Sequence, residues 1–161
     1  MPQATLTAQL PLGPCALFAS QHGLAVVQLG AAVPEKADDG EAFQMLLEAS
    51  RQLVAYFAGD LRIFDVPLDL SQRSEFQRRV LEACSQVPYG STASYAELAA
   101  RAGSPLAARA VGQVMAQNRL AIVIPCHRIV GSSGHLVGYG LGLGLKARLL
   151  AMEREARGWE Q

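Results

Sequence analysis

Residues 94–117, Ser94-Tyr95-Ala96-Glu97-Leu98-Ala99-Ala100-Arg101-Ala102-Gly103-Ser104-Pro105-Leu106-Ala107-Ala108-Arg109-Ala110-Val111-Gly112-Gln113-Val114-Met115-Ala116-Gln117, decide the architecture. Ser94 is placed to begin a helix that runs to Ala102, with Tyr95, Leu98 and Ala99 on its apolar side. Gly103-Ser104-Pro105 stops it and turns the chain into a second predicted helix over residues 106–117. Two short helices joined by a glycine-containing turn outline a helix-turn-helix. The second helix presents Ala107, Ala108, Ala110 and Gly112, an unusually small surface. It suits close approach to a rigid partner such as duplex DNA, although taken as the only signal it points rather to close packing on another helix.

Working outward, Ser74 is a candidate cap for a helix to Ser85 that buries Phe76, Val80, Leu81 and Cys84. Pro88-Tyr89-Gly90 breaks the chain before Ser94. Downstream, residues 120–124 read as a buried strand or extended segment delivering Pro125-Cys126-His127-Arg128. Ser132-Ser133-Gly134 and Gly138-Tyr139-Gly140 mark irregular loops. A last helix is expected from Gly144 or Leu145 to about Arg157, with Leu149, Leu150 and Met152 in the core. Nearer the N-terminus, residues 4–10, 15–20 and 23–29 predict a small antiparallel sheet with turns at residues 11–14 and 22–23. An acidic loop over residues 31–40 follows, then a helix over residues 41–57 with Phe43, Leu46, Leu47, Leu53, Val54 and Phe57 as apolar positions. Gly59 stops it. Residues 62–67 read as an edge strand and residues 65–70 as a linker. The fold class is therefore α/β (α+β), with a boundary expected between an N-terminal α/β domain at 1–67 and a mostly helical C-terminal domain at 68–161.

Half of the 161 residues are apolar and 17% are charged, ordinary globular usage that excludes a disordered chain. No apolar run approaches the length needed to span a bilayer, and the N-terminus lacks a basic start followed by an apolar stretch, so a cytoplasmic protein without membrane association is expected. The formal charge is zero, yet it is unevenly divided. Residues 1–71 hold three basic and eight acidic side chains, net −5, and residues 72–161 hold eleven and six, net +5. That asymmetry points to a polyanion-binding C-terminal half. Cys15, Cys84 and Cys126 form no CxxC pair, and with three histidines there is no zinc spacing, so neither a metal site nor a disulfide framework is expected. Cys15 and Cys84 fit small buried apolar positions.

Cys126 differs by its context. A cysteine after proline at the end of an apolar segment is presented at an edge, and the adjacent His127 is able to accept its proton directly or through water. A carboxylate from elsewhere would orient the imidazole. The run Ile124-Pro125-Cys126-His127-Arg128-Ile129-Val130 resembles the active-site signature of the O6-alkylguanine-DNA alkyltransferases. The likeness extends through Pro88-Tyr89-Gly90, Ser94-Tyr95, Ala108-Arg109-Ala110-Val111-Gly112 and Asn118, and on to Gly138-Tyr139-Gly140 and Leu149-Leu150-Ala151-Met152-Glu153. It covers essentially all of residues 68–153, while the N-terminal half is similar in layout alone.

This resemblance implies a ribonuclease-H-like N-terminal sheet with a helix, and a winged-helix-like C-terminal domain. It implies a repair protein that transfers an alkyl group irreversibly from O6 of guanine in double-stranded DNA to its own Cys126, as a monomer and without a cofactor. His127 would serve as base through a bridging water, Glu153 would orient it, and Asn118 would brace the turn holding the cysteine. Tyr95 would donate to guanine N3, where charge develops. Arg109 would fill the space left by the flipped nucleotide. Ser94, Ala108 and Gly112 would lie at the DNA. The Gly140 amide would face O6, carbonyls near Cys126 and Ile129 would read the amino group, and Tyr139 and Leu141 would line the pocket. Arg128 fits an ion-pair or loop partner. The chain departs from the family pattern at Arg119, where proline is common, and at Leu141, where glycine is usual. Two other readings use the same helix-turn-helix: a non-repairing lesion sensor, which would lack the acceptor cysteine, and a DNA-binding regulator, which would need a second helix rich in base-reading side chains. A cysteine hydrolase is a third, and turnover of an ester would mark it.

Overall fold

The structure is a computed structural model that describes residues 3–37 and 40–159. The chain falls into two compact units. The first is built from the chain up to Gln72 with Arg119–Ala121 and the segment from Arg157 onward, and the second from Arg73–Asn118 and Ile122–Ala156. Among the described residues no helix is long and apolar enough to cross a membrane.

In the first unit, β1 (Ala4–Leu10), β2 (Gly13–Ser20) and β3 (Gly23–Leu29) form an antiparallel sheet in the order β1-β2-β3. Ala8, Cys15 and Leu29 sit in one cross-strand row, and Ala4, Ala19 and Leu24 in another. All six are buried, so the sheet turns one face to the core. Helix α1 (Ala42–Phe57) packs on the three strands through Leu46, Ala49, Leu53, Tyr56 and Phe57. Leu47 and Val54, expected on the apolar side, are instead 44% and 46% exposed. They lie seven residues apart on a stripe rotated away from the one that faces the sheet.

The expected edge strand over residues 62–67 does not form. One isolated parallel bridge joins Leu24 to Leu68, through Leu24 N–H to Pro67 O and Asp69 N–H to Leu24 O, both 2.8 Å. The backbones come so close that a Cβ on Gly23 would stand 2.6 Å from Pro67 O, so this position admits only glycine. The expected linker at 65–70 is likewise pinned, by Gln52 to Asp65 and by Ser20 Oγ to the Asp69 carboxylate. Within the acidic loop Lys36 bridges to Thr5, while Asp38 and Asp39 lie outside the described residues.

In the second unit, α2 (Glu75–Ser85) and α3 (Tyr95–Arg101) each start with a complete capping box, Ser74 with Gln77 and Ser94 with Glu97. Each cap stabilises its helix by about 1 kcal/mol. On α2, Val80, Leu81 and Cys84 are buried as expected, and Phe76 is half-buried. Helix α4 spans Ala108–Ala116, two residues later than the sequence suggests. The Ser104 carbonyl takes the Ala107 amide in a turn that consumes Pro105 and Leu106, and Leu106 is fully exposed. Two further short strands, β4 (Ala93–Ser94) and β5 (Ile129–Val130), pair in parallel. Helix α5 (Leu143–Arg154) ends earlier than expected, because Ala156 takes a left-handed backbone at φ 51°.

The apolar segment before the cysteine is not a strand. Only Leu120 makes a bridge, to Val27 in the first unit, and residues 121–124 turn. Ile122 has φ 72°, a conformation that a β-branched residue holds at a cost of about 1–3 kcal/mol. The cysteine is therefore delivered by a tight loop.

Candidate active site

The loop brings Cys126 to the end of a short turn with a definite hydrogen-bond scheme. Pro125, at φ −80° and ψ 64°, forms an inverse γ-turn in which Cys126 N–H donates to Ile124 O at 2.8 Å. Asn118, just beyond α4, donates from Nδ2 to that same carbonyl at 3.0 Å and to Cys126 Sγ at 3.3 Å. One amide thus ties the residue six positions ahead of it to the sulfur eight positions ahead. Cys126–Arg128 then forms a single 3₁₀ turn that leads into β5.

Behind the sulfur lies a buried ionic chain. His127 and Glu153 are almost wholly excluded from solvent, and their side chains meet at 2.7 Å between Nε2 and Oε2. Arg128 clasps the same carboxylate with two bonds, Nε to Oε1 at 2.8 Å and Nη2 to Oε2 at 3.0 Å, and donates from Nη1 to Val87 O at 2.8 Å. Burial alone would raise the Glu153 carboxyl, but the bonds from His127 and Arg128 outweigh it and bring it down to about 2. The carboxylate is therefore ionised and only accepts, so Nε2 of His127 carries the proton. Nδ1 is left with its lone pair, and it is buried without a hydrogen-bond partner among the described residues.

The charge states follow from burial. Desolvation lowers His127 despite the bond and charge of Glu153, which keeps the ring neutral. Desolvation raises the Cys126 thiol, opposed by the Asn118 bond and the Lys146 ammonium. The resting pair is a neutral thiol beside a neutral imidazole. Once the proton leaves, the Asn118 bond and the Lys146 charge are the interactions that favour the thiolate. Cys15 and Cys84 are fully buried, and desolvation pushes Cys15 up to about 12 and Cys84 up as well. Neither is a nucleophile.

On the open side, Tyr95 Oη donates to Val137 O at 3.0 Å and is 3.3 Å from Gly138 O. Lys146 Nζ donates to the same Val137 carbonyl at 2.9 Å, 3.5 Å from Gly138 O. The irregular segment 137–138, where Gly138 has φ 57°, is thereby tied to α3 and α5. The hydroxyl of Tyr139 is buried without a hydrogen-bond partner among the described residues, while Gly140 and Leu141 are exposed, Leu141 by 43%. Arg109 stands exposed on α4. Gly112, on the same helix, would place a Cβ 4.0 Å from the Tyr95 ring, so it borders that ring. Ala108 is half-buried, Ile129 is fully buried, and the Ser94 hydroxyl is occupied as the cap of α3. The geometry thus gathers Cys126, His127, Glu153 and Asn118 into one cluster and places Tyr95 with Val137 and Gly138. Arg109 lies apart from the ionic chain, on the surface. Lys146 was missed by sequence reading. Its spacing held the signal: Lys146, Leu149, Leu150 and Glu153 follow the three- and four-residue steps of one buried helical face.

Two family models match the chain. The 6-O-methylguanine DNA methyltransferase DNA binding domain matches residues 75–155, and the ribonuclease-like domain of the same proteins matches residues 5–70. A methylated-DNA–protein-cysteine methyltransferase of Methanosarcina acetivorans is 43% identical over 148 residues, 89% of this chain and 93% of that protein. One from Mycolicibacterium paratuberculosis is 58% identical over 106 residues, 66% of this chain and 64% of the relative, just under two thirds of its length. The crystal structure of Mycobacterium tuberculosis OGT in complex with DNA superposes with a TM-score of 0.79 at 42% identity, covering 94% of this chain and 93% of that one.

Proposed function

The chain belongs to the 6-O-methylguanine DNA methyltransferase family, and from that premise we propose that it repairs double-stranded DNA by moving an alkyl group from O6 of guanine onto its own Cys126. The observation that carries this reading is the bracketed sulfur of Cys126 beside a histidine whose second nitrogen is committed to Glu153. His127 Nδ1 takes the thiol proton through a water, and the sulfur attacks the alkyl carbon. The S–C bond forms as the C–O6 bond breaks, and the electron pair passes into the guanine, which is reprotonated from the imidazolium. Tyr95 exchanges its bond to Val137 O for one to guanine N3, stabilising the departing base. A thioether has no easy leaving group, so each molecule reacts once.

The remaining roles follow the same reading. Arg109 enters the base stack and α4 approaches the duplex along Ala108 and Gly112, with Ser94 at its edge. The Gly140 amide faces O6, carbonyls near Cys126 and Ile129 read the amino group, and Tyr139 and Leu141 border the alkyl group. The basic half is the DNA-binding and alkyl-transfer domain, from residue 68, and the acidic half from 1 to 67 is its companion. The protein acts as a monomer in the cytoplasm, where reducing conditions keep the thiol free. The damaged base itself supplies the group transferred, so no cofactor is required. The test follows the methyl group in an oligonucleotide carrying O6-methylguanine: the parent protein removes it and Cys126→Ala does not. Tight binding with the methyl group retained on the DNA would leave a lesion sensor in its place.

A further inference from the structure

Ile122 is the one β-branched residue with a left-handed backbone among the described residues, and it stands midway between Asn118 and Cys126. Its side chain is 1% exposed, among the most completely buried in the protein. A glycine or asparagine would hold φ 72° with little strain, and neither occupies the position. The loop therefore takes its turn at a residue that resists it, held there by a buried side chain. Two positions later the Ile124 carbonyl accepts from both Asn118 Nδ2 and Cys126 N–H, the pair of bonds that brackets the sulfur. The direction of that carbonyl depends on the turn at Ile122, since only Val123 lies between them.

We propose that Ile122 is a positioning residue for the alkyl transfer: its buried side chain locks a left-handed turn that aims the Ile124 carbonyl, and through it fixes Cys126 Sγ. A glycine in its place would keep the turn accessible and release the lock, so the loop would sample other directions. The bracket would loosen while the bond from His127 to Glu153 of α5, whose carboxylate Arg128 also clasps, holds. This inference rests on the proposed alkyl transfer, and transfer by the parent protein decides that reading on its own.

The experiment compares the parent with Ile122→Val and Ile122→Gly in two reactions at a temperature well below unfolding. One is single-turnover methyl transfer from duplex DNA, and the other is alkylation by iodoacetamide, located by peptide mass. Ile122→Gly should slow transfer at least tenfold while Cys126 reacts several-fold faster with iodoacetamide, because the freed sulfur is easier to reach but no longer aimed. Cys15 and Cys84 should stay unlabelled, which separates a loosened loop from an unfolded chain. Ile122→Val, still β-branched and apolar, should remain within about threefold of the parent in both reactions. If Ile122→Gly does not fold, Ile122→Ala carries the same comparison. Transfer unchanged in the glycine variant, or both reactions slowed together, would overturn the proposal. Equal losses in the valine and glycine variants would overturn it too.

Discussion

Two buried polar side chains, one in each unit, differ in a way that separates architecture from chemistry. Gln52 on α1 has its whole amide engaged: Oε1 accepts from Asp65 N–H at 2.9 Å, and Nε2 donates to Glu48 at 2.7 Å and to Asp65 O at 3.0 Å. His127 is more deeply buried, yet only Nε2 is engaged, while Nδ1 has no hydrogen-bond partner among the described residues. A saturated polar cluster fixes a segment in place. One left open at a single atom, next to a nucleophile, is set to move a proton.

The strongest expected effect follows from changing each cluster by one group. Glu153→Gln keeps the shape but removes the charge that dictates the His127 tautomer, and it leaves Arg128 without its counter-charge. We expect transfer to slow by roughly 10²–10⁴-fold and stability to fall by about 3–5 kcal/mol. Gln52→Leu should cost about 1–3 kcal/mol and leave transfer within twofold. Single-turnover rates and urea denaturation check both. A comparable rate loss in Gln52→Leu would erase the distinction between the clusters.

The next contrast uses one arginine from each unit. Arg109→Ala should slow repair of duplex DNA by roughly 10–100-fold, the order expected from losing the group that replaces a flipped base, while reaction with a free alkylated base stays unchanged. Arg51, paired with Glu48 on the exposed side of α1, should be neutral on both substrates when changed to alanine. Equal losses for Arg109→Ala on duplex and free base would place its role in the fold.

Acid separates the clusters more gently. His127 sits below its ordinary value of 6.5 in the folded protein, so the unfolded chain binds the extra proton first. Stability should be full above 6.5 and decline as pH falls toward the folded value. Glu153 adds a second decline between 4.5 and about 2. The melting temperature should drop between pH 7 and 5, and His127→Gln should flatten that drop. A parent protein that gains stability over this range would mean that the ring is charged when folded.

The smallest effect concerns the rim. In the proposed reading Leu141 borders the alkyl group, and it is 43% exposed, so methyl transfer should be insensitive to Leu141→Gly. Reaction with O6-benzylguanine should rise, within about tenfold. A fall would show that the leucine offers the ring an apolar platform.

What the sequence made legible divides along similar physical lines. Apolar residues at every second position, Ala4, Leu6, Ala8 and Leu10, and side chains such as Ser74 and Ser94 that cap by local bonds, specify their elements without help from distant residues. Residues 120–124 do not. Their composition suits a strand, but Asn118 and the burial of Ile122 bend them into a loop, and both causes are tertiary. Residues 62–67 failed as a strand for a related reason: Ile63 is 82% exposed, and the partner backbone offers one bridge. At the site, Cys126 and His127 are adjacent and could be read directly. Glu153 lies 26 residues past His127 and came only through the family likeness. Lys146 required knowing that a lysine faced the core.

The stoichiometry of the reaction tests the central claim most directly. The protein should be incubated with a tenfold excess of duplex carrying O6-methylguanine, then analysed by intact mass and peptide mapping. We expect one methyl group per chain, located on Cys126, with demethylation of the DNA stopping at one equivalent. Demethylation that continues past one equivalent, or a methyl group on any other residue, would contradict a sulfur that is consumed by the repair it performs.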